Sequence, residues 1–272
     1  MKFAHSFWSK PLFENKFGDF EDRFKCTLIT YAYSVHCIHE LNERIVLYTD
    51  KRGSEILSAI PYDEIYIVDV RDDNMHFAAQ IKFEALKNMK LGDVLIDGDL
   101  FITSQNMLDT LKSKISKNDV VYSYFEPNNI VLMGDMKEYH TGLLKIMSSI
   151  TYTYPYEVKN INNFEWFNTS LMVFTNNKLL KEYIRQYEYH KKKLINIDFQ
   201  QFWPDIIIEQ YCLTLLTTRN KYKSEPLIED YCTNIFGYQC AEQSGYIHLW
   251  GLKMCKYQIG RASCRERVCH CV

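Results

Sequence analysis

VLIDGDLFI, residues 94–102, places three apolar side chains before Asp97-Gly98-Asp99 and three after it. A short, continuously apolar run of this kind reads as a buried strand, and its break presents two acids at the carboxyl end. Two carboxylates one residue apart can hold a divalent cation between them, and the intervening glycine lets the backbone come close to a ligand. The alternative is a turn in which the aspartates solvate themselves, because D-x-D is a short pattern. What flanks the stretch on both sides decides between the two.

Upstream, Lys2 to Trp8 reads as a first strand, and Phe20 to Leu41 carries Phe24, Leu28, Tyr31, Val35 and Ile38 at helical spacing. Arg44 to Asp50 is a β-branched run ending on an acid, with Lys51-Arg52-Gly53 as a turn after it. Glu64 to Val70 predicts a third strand, and Met75 to Met89 a helix with Phe77, Ile81, Ala85 and Met89 on one face. Downstream come a helix over Gln105 to Ile115 and a strand over Val120 to Phe125. Glu126 to Glu157, rich in Asn, Gly, Tyr and Pro, is expected to form a mobile or partly helical cover where an acceptor could dock. Phe164 to Phe174 returns to a strand pattern interrupted by Asn168-Thr169-Ser170. Lys178 to Leu194 reads as an amphipathic helix with His190 and its lysines toward solvent, and Asp205 to Leu216 as a helix carrying Glu209 and Gln210. Gly245 to Lys253, GYIHLWGLK, sets His248 between apolar residues. Strands and helices in turn predict a single-domain α/β fold whose mostly parallel sheet is flanked by helices on both faces.

Composition narrows the function. At 272 residues with 47% apolar and 15% aromatic side chains, the chain has ample material for a core. A net charge of -2 and scattered basic residues point away from nucleic acid as a partner. No apolar run approaches the ~18 to 20 residues of a membrane span, and the amino end is too polar for a signal-peptide core, so the cytoplasm is the expected compartment. The nine cysteines are scattered without a CxxC and read as reduced thiols. From Ile259 the sequence IGRASCRERV loses apolar periodicity and reads like one frame of a sequencing-library adapter. Residues 1–258 are therefore expected to be the domain, short of its true carboxyl end, and 259–272 a foreign tail.

Five motifs in order resemble the GT-A type glycosyltransferases of the retaining, glycogenin and galactosyltransferase-like kind. They are a basic residue on a helix (Lys82), IDGDLFI, FNTSLMVF, the acid-Gln pair Glu209-Gln210, and HLWGLK. The span runs from Arg44 to Lys253, and the chain also resembles an uncharacterised bacterial family with the same set. It departs from the pattern in having Lys82 for Arg, Ser170 for Gly and Glu209 for Asp, and in a His248-to-Lys253 spacing one residue short.

The resemblance implies a GT-A-like, Rossmann-like fold and a metal-dependent enzyme moving a sugar from a nucleotide-diphosphate donor to a glycan or other hydroxyl acceptor, with retention, as in polysaccharide biosynthesis. Asp97, Asp99 and His248 are then the expected metal ligands. Mixed oxygen and imidazole ligation suits Mn²⁺ better than Mg²⁺. Asp50, at a strand's carboxyl end, together with Lys82 and Lys253, is expected to bind the nucleotide and its phosphates, while Asn168, Glu209 and Gln210 line the sugar. Three other readings stay open. They are a non-catalytic nucleotide-sugar or glycan-binding protein, a sugar nucleotidyltransferase, and a structural protein in which D-x-D is only a turn.

Overall fold

β1 (Phe3–Phe7) and β2 (Ile45–Thr49) are buried at every position, as parallel strands covered on both faces must be. They belong to a computed structural model that describes residues 1–14, 19–70, 77–126, 166–194, 207–229 and 245–249. α1 (Ser9–Glu14) and the long α2 (Phe20–Glu40) connect them. Asp19 starts α2 by accepting hydrogen bonds from the backbone N–H groups of Glu21 and Asp22, two of the donors a helix leaves unmade at its first turn.

After α3 (Lys51–Ile56) come β3 (Glu64–Ile67), α4 (Gln80–Asn88) and β4 (Val94–Ile96), then β5 (Leu100–Ile102), α5 (Gln105–Ile115), β6 (Val120–Tyr122) and β7 (Phe125–Glu126). The later elements are β8 (Trp166–Phe167), β9 (Leu171–Phe174), α6 (Asn177–Leu194), a π-helical turn over Ile207–Tyr211, α7 (Cys212–Asn220), β10 (Ser224–Pro226) and β11 (Tyr246–His248). Seven strands form one sheet in the order β10-β6-β9-β4-β1-β2-β3. β9 runs antiparallel to both β4 and β6, and every other pairing in the sheet is parallel. The α/β class, the mostly parallel sheet and the helices on both faces are as expected.

Alternation along the strands divides the core into two layers. Ala4, Val46, Leu95, Val120 and Met172 face α4, α6 and α7, where Phe83, Tyr183, Tyr187 and Leu213 pack. Phe3, Leu47, Val94, Val121 and Val173 face α2 and α5, meeting Val35, Ile38, Leu108 and Leu111. No helix among the described residues is long and apolar enough to cross a membrane.

β4 is the buried strand expected before Asp97, and beyond the break β5 leaves the main sheet to pair antiparallel with β11. Three local expectations are corrected. Lys51-Arg52-Gly53 opens α3 rather than a turn, because the Asp50 side chain caps that helix through the Gly53 N–H. The helix expected over Asp205 to Leu216 is π-helical over Ile207–Tyr211 and runs on to Asn220. His190 is fully buried, not solvent-facing. Its position continues the buried stripe Leu179, Tyr183, Tyr187 on α6, so helical period outweighs the lysines beside it. Nδ1 donates to the Gln186 carbonyl at 2.7 Å, and burial lowers the imidazole's pKa. Of those lysines, Lys192 and Lys193 are exposed, whereas Lys191 reaches Gln80 Oε1 at 2.8 Å. The expected cover over 127–157, the first residues of the Asp205 helix, Lys253 and the tail lie outside the described residues.

Candidate functional site

The candidate site is built around the turn between β4 and β5. The Asp97 N–H donates to the Ser170 carbonyl at 2.8 Å, ending the sheet, and the Leu100 N–H donates back to the Asp97 carbonyl at 3.0 Å, closing the turn. Gly98 sits inside it against the ring of Tyr31, and a Cβ built there would lie 2.2 Å from Tyr31 Cε2. The glycine is thus required by an aromatic ring of α2, where the sequence suggested a ligand. Tyr31 is itself tied down, its hydroxyl donating to the Ser6 carbonyl at 2.9 Å. Gly98→Ala is expected to force these groups apart, costing about 1–3 kcal/mol as overpacking does, and to lower the melting temperature by several degrees. An unchanged melting temperature would show that the ring yields freely.

β11 brings the far end of the chain to this turn. His248 pairs in register with Leu100, and the Leu249 N–H donates to the Asp99 carbonyl at 3.0 Å. As a result one ligand atom from each of Asp97, Asp99 and His248 lies within 4.8 Å of the others. The side chains of Asp99 and His248 are each only 4% exposed, with His248 Nε2 4.0 Å from Asp99 Oδ1, while Asp97 is more open. Two carboxylates and an imidazole fit a divalent cation of intermediate hardness. With each donor about 2.0–2.2 Å from an ion, a separation of this size closes with small side-chain adjustments.

A second pair of acids shares one base. Lys82, on α4, places Nζ 2.8 Å from Asp97 Oδ1 and 2.6 Å from Glu209 Oε1, with all three side chains largely covered. Burial alone would lower the Lys82 pKa, yet the charges of Asp97 and Glu209 and hydrogen bonds to both hold it above the ordinary lysine range. Burial pushes the Glu209 carboxyl up, Lys82 opposes that shift, and the charge of Asp97 adds to it. Glu209 and the half-buried Gln210 stand on the π-helical turn, a wide turn found frequently at functional sites. The Tyr183 hydroxyl donates to the Glu209 carbonyl at 2.8 Å and fixes that turn against α6.

Asn168 is buried beside the Asp97 turn, between β8 and β9. Its Oδ1 accepts from the Ser170 N–H at 3.0 Å and from the Ser170 hydroxyl at 2.6 Å. Ser170 has one hydroxyl proton, so the 2.6 Å contact with Ser123 Oγ is a donation from Ser123. The hydroxyl at position 170 therefore belongs to an internal network that bends the chain into the site. Asp50 is held by protein groups at the end of β2: Oδ1 accepts from the N–H groups of Ser9 at 3.0 Å and Gly53 at 3.2 Å, and Oδ2 from the Ser9 hydroxyl at 2.6 Å. These are helix-capping contacts.

Three neighbours of the cluster escape sequence reasoning. They are Tyr31, Tyr124, whose hydroxyl lies 3.1 Å from His248 Nδ1, and Ser123. Tyr31 carries a partial signal, since it falls on the apolar stripe of α2, but its contact with Gly98 depends on tertiary packing.

No curated protein matches the sequence. Among solved structures the chain is similar to a 4-diphosphocytidyl-2C-methyl-D-erythritol synthase from Anaerococcus prevotii, with 13% identity over 86% of this chain and 91% of that one and a TM-score of 0.41. It is also similar to the galactosyltransferase LgtC in complex with donor and acceptor sugar analogues, with 10% identity over 90% and 95% and a TM-score of 0.40. A third similarity is to the glycosyltransferase GlyE of Streptococcus pneumoniae, with 12% identity over 96% of this chain and 64% of that one and a TM-score of 0.38. One family model covers nearly the whole chain, matching residues 1–265, and the protein therefore belongs to the family of unknown function DUF6734.

Proposed function

We propose that this protein is a metal-dependent glycosyltransferase that moves a sugar from a nucleotide-diphosphate donor to a hydroxyl acceptor with retention. The observation that carries the reading is the convergence of Asp97, Asp99 and His248, whose ligand atoms come within 4.8 Å although His248 belongs to a motif far along the chain from the two aspartates. Placement of Lys82 and Glu209 against the same aspartate supports it, because the ordered motifs then share one site.

Cleavage of the donor releases a diphosphate, and a bound cation, Mn²⁺ by preference, would neutralise its developing charge. Asp97, Asp99 and His248 would hold that ion. Lys82 has two carboxylate partners in this structure, and its third ammonium proton would serve a phosphate. Lys253 would follow as a second phosphate contact from the segment after β11. Asn168, held by Ser170, and the Glu209-Gln210 pair would bound the sugar on the sheet side. With retention the acceptor hydroxyl attacks from the face the diphosphate leaves, and its proton passes to the departing oxygen, so no separate base is needed.

The decisive experiment incubates the protein and Mn²⁺ with a panel of nucleotide sugars and measures nucleoside diphosphate released, with EDTA as control. Release that EDTA abolishes is the expected result. Release of inorganic diphosphate from a nucleoside triphosphate and a sugar phosphate would instead make it a nucleotidyltransferase. A melting temperature raised by nucleoside diphosphate with Mn²⁺, but with no turnover of any donor, would leave a binding protein.

Gln210→Ala separates a sugar contact from packing. Turnover is expected to fall about tenfold or more, while stability and nucleoside diphosphate affinity change by no more than about 0.5 kcal/mol, as for a contact made more strongly in the transition state. Unchanged hydrolysis would take Gln210 out of the site, and a large loss of stability would return it to the core.

A further inference from the structure

We infer that Tyr124 is the positioning residue that presents the imidazole of His248 to the metal site, a role that rests on the metal-binding reading above. His248 lies on a two-stranded sheet, β11 with β5, outside the main sheet. Tyr124 follows β6, a strand of the main sheet, and is 3% exposed. Its backbone is fixed as well, since the Asn168 N–H donates to the Tyr124 carbonyl at 2.8 Å. The hydroxyl lies 3.1 Å from His248 Nδ1, while the rings are 6.1 Å apart and tilted by 51°, so the two side chains meet through the hydroxyl and not through stacked faces.

The two ring nitrogens have different work. Nε2 faces Asp99 Oδ1 at 4.0 Å, and a nitrogen that ligates a cation must offer its lone pair. The imidazole proton then sits on Nδ1, where it needs an acceptor, and the Tyr124 oxygen is in place to be one. Tyr124 thereby selects the tautomer and sets the angle of the ring. It joins the rigid sheet to the one ligand carried on a peripheral strand.

The test uses Tyr124→Phe, which keeps the ring and removes the oxygen. Mn²⁺ affinity is read from the electron paramagnetic resonance signal of free ion, and the nitrogen modulation of bound ion reports whether an imidazole is attached. The variant is expected to melt within a few degrees of the wild type, to bind Mn²⁺ about 10- to 100-fold more weakly, and to lose most of the nitrogen modulation. In a His248→Ala background the same substitution is expected to weaken binding no further, because Tyr124 acts through His248. Affinity within twofold of wild type with the modulation intact overturns the inference and leaves the metal site standing. Wild-type protein that binds Mn²⁺ without nitrogen modulation overturns it too, by removing His248 from the ligands. Wild-type protein that binds no Mn²⁺ overturns both it and the metal-dependent reading.

Discussion

Asp99→Asn is expected to lower nucleoside diphosphate release from the donor by a factor on the order of 10² or more, about 2.7 kcal/mol of transition-state stabilisation. Asparagine has the shape of aspartate and lacks its charge, and its amide is a poor ligand for a divalent cation. The position is covered, with the side chain 4% exposed, so water does little to replace the lost carboxylate. The fold should survive, because the contact that seats β11 is made by the Asp99 backbone carbonyl to the Leu249 N–H and does not involve the side chain. Donor hydrolysis, Mn²⁺ binding and melting temperature measured on the one variant check the three statements together. Equal hydrolysis by wild type and variant, or wild-type hydrolysis that survives EDTA, would sink the assignment.

The two aspartates carry a local sign, acids around a glycine after an apolar run, whereas a histidine inside an apolar run reads locally as a core residue and His248 is singled out only by its place in the ordered motifs. Elements with strong local punctuation are legible too. α5 is predicted and found over Gln105–Ile115, since Ser104 caps it through the Met107 N–H and Met107, Leu108 and Leu111 repeat at helical spacing. The π-helical turn under Glu209 has no such sign. One extra residue in a turn leaves the apolar pattern almost unchanged, and what fixes it here is a hydrogen bond from Tyr183, on another helix. β5 is an apolar triplet like β4 and carries no local sign of where it pairs. Its departure to pair with β11 depends on a partner near the other end of the chain. His190 shows two local signs in conflict, a basic run against a helical stripe, and the stripe prevails because burying the adjacent apolar residues is the larger effect. The environment of Lys82 is illegible in principle, because both of its acidic partners come from other elements.

His5 has no motif at all, and its burial leads to the largest expected effect on stability. The residue lies in the middle of β1, fully buried, with Nδ1 2.7 Å from the Tyr62 hydroxyl and Nε2 3.0 Å from Ser34 Oγ. Ser34 spends its single proton on the Leu100 carbonyl at 2.8 Å, so Ser34 accepts from His5 Nε2–H, and Tyr62 donates to Nδ1. A neutral ring satisfies every group in this chain, which ends beside Asp99. Desolvation drives the His5 pKa down from 6.5 to about 3, against a weaker upward pull from the charge of Asp99. Below pH 6.5 the unfolded chain therefore binds a proton that the folded one refuses. Stability conferred by the neutral ring is complete above that pH and is lost progressively as the pH falls toward about 3. From pH 6.5 to about pH 4 the loss from this residue should be roughly 3 kcal/mol. Urea unfolding at a series of pH values, on wild type and on His5→Asn, isolates it from the carboxylates that also titrate there. The variant starts less stable, having lost packing and one hydrogen bond, but its stability should fall less steeply with acid by that amount. Parallel slopes would mean that the folded protein accepts the proton, with Tyr62 turning its hydroxyl to receive it.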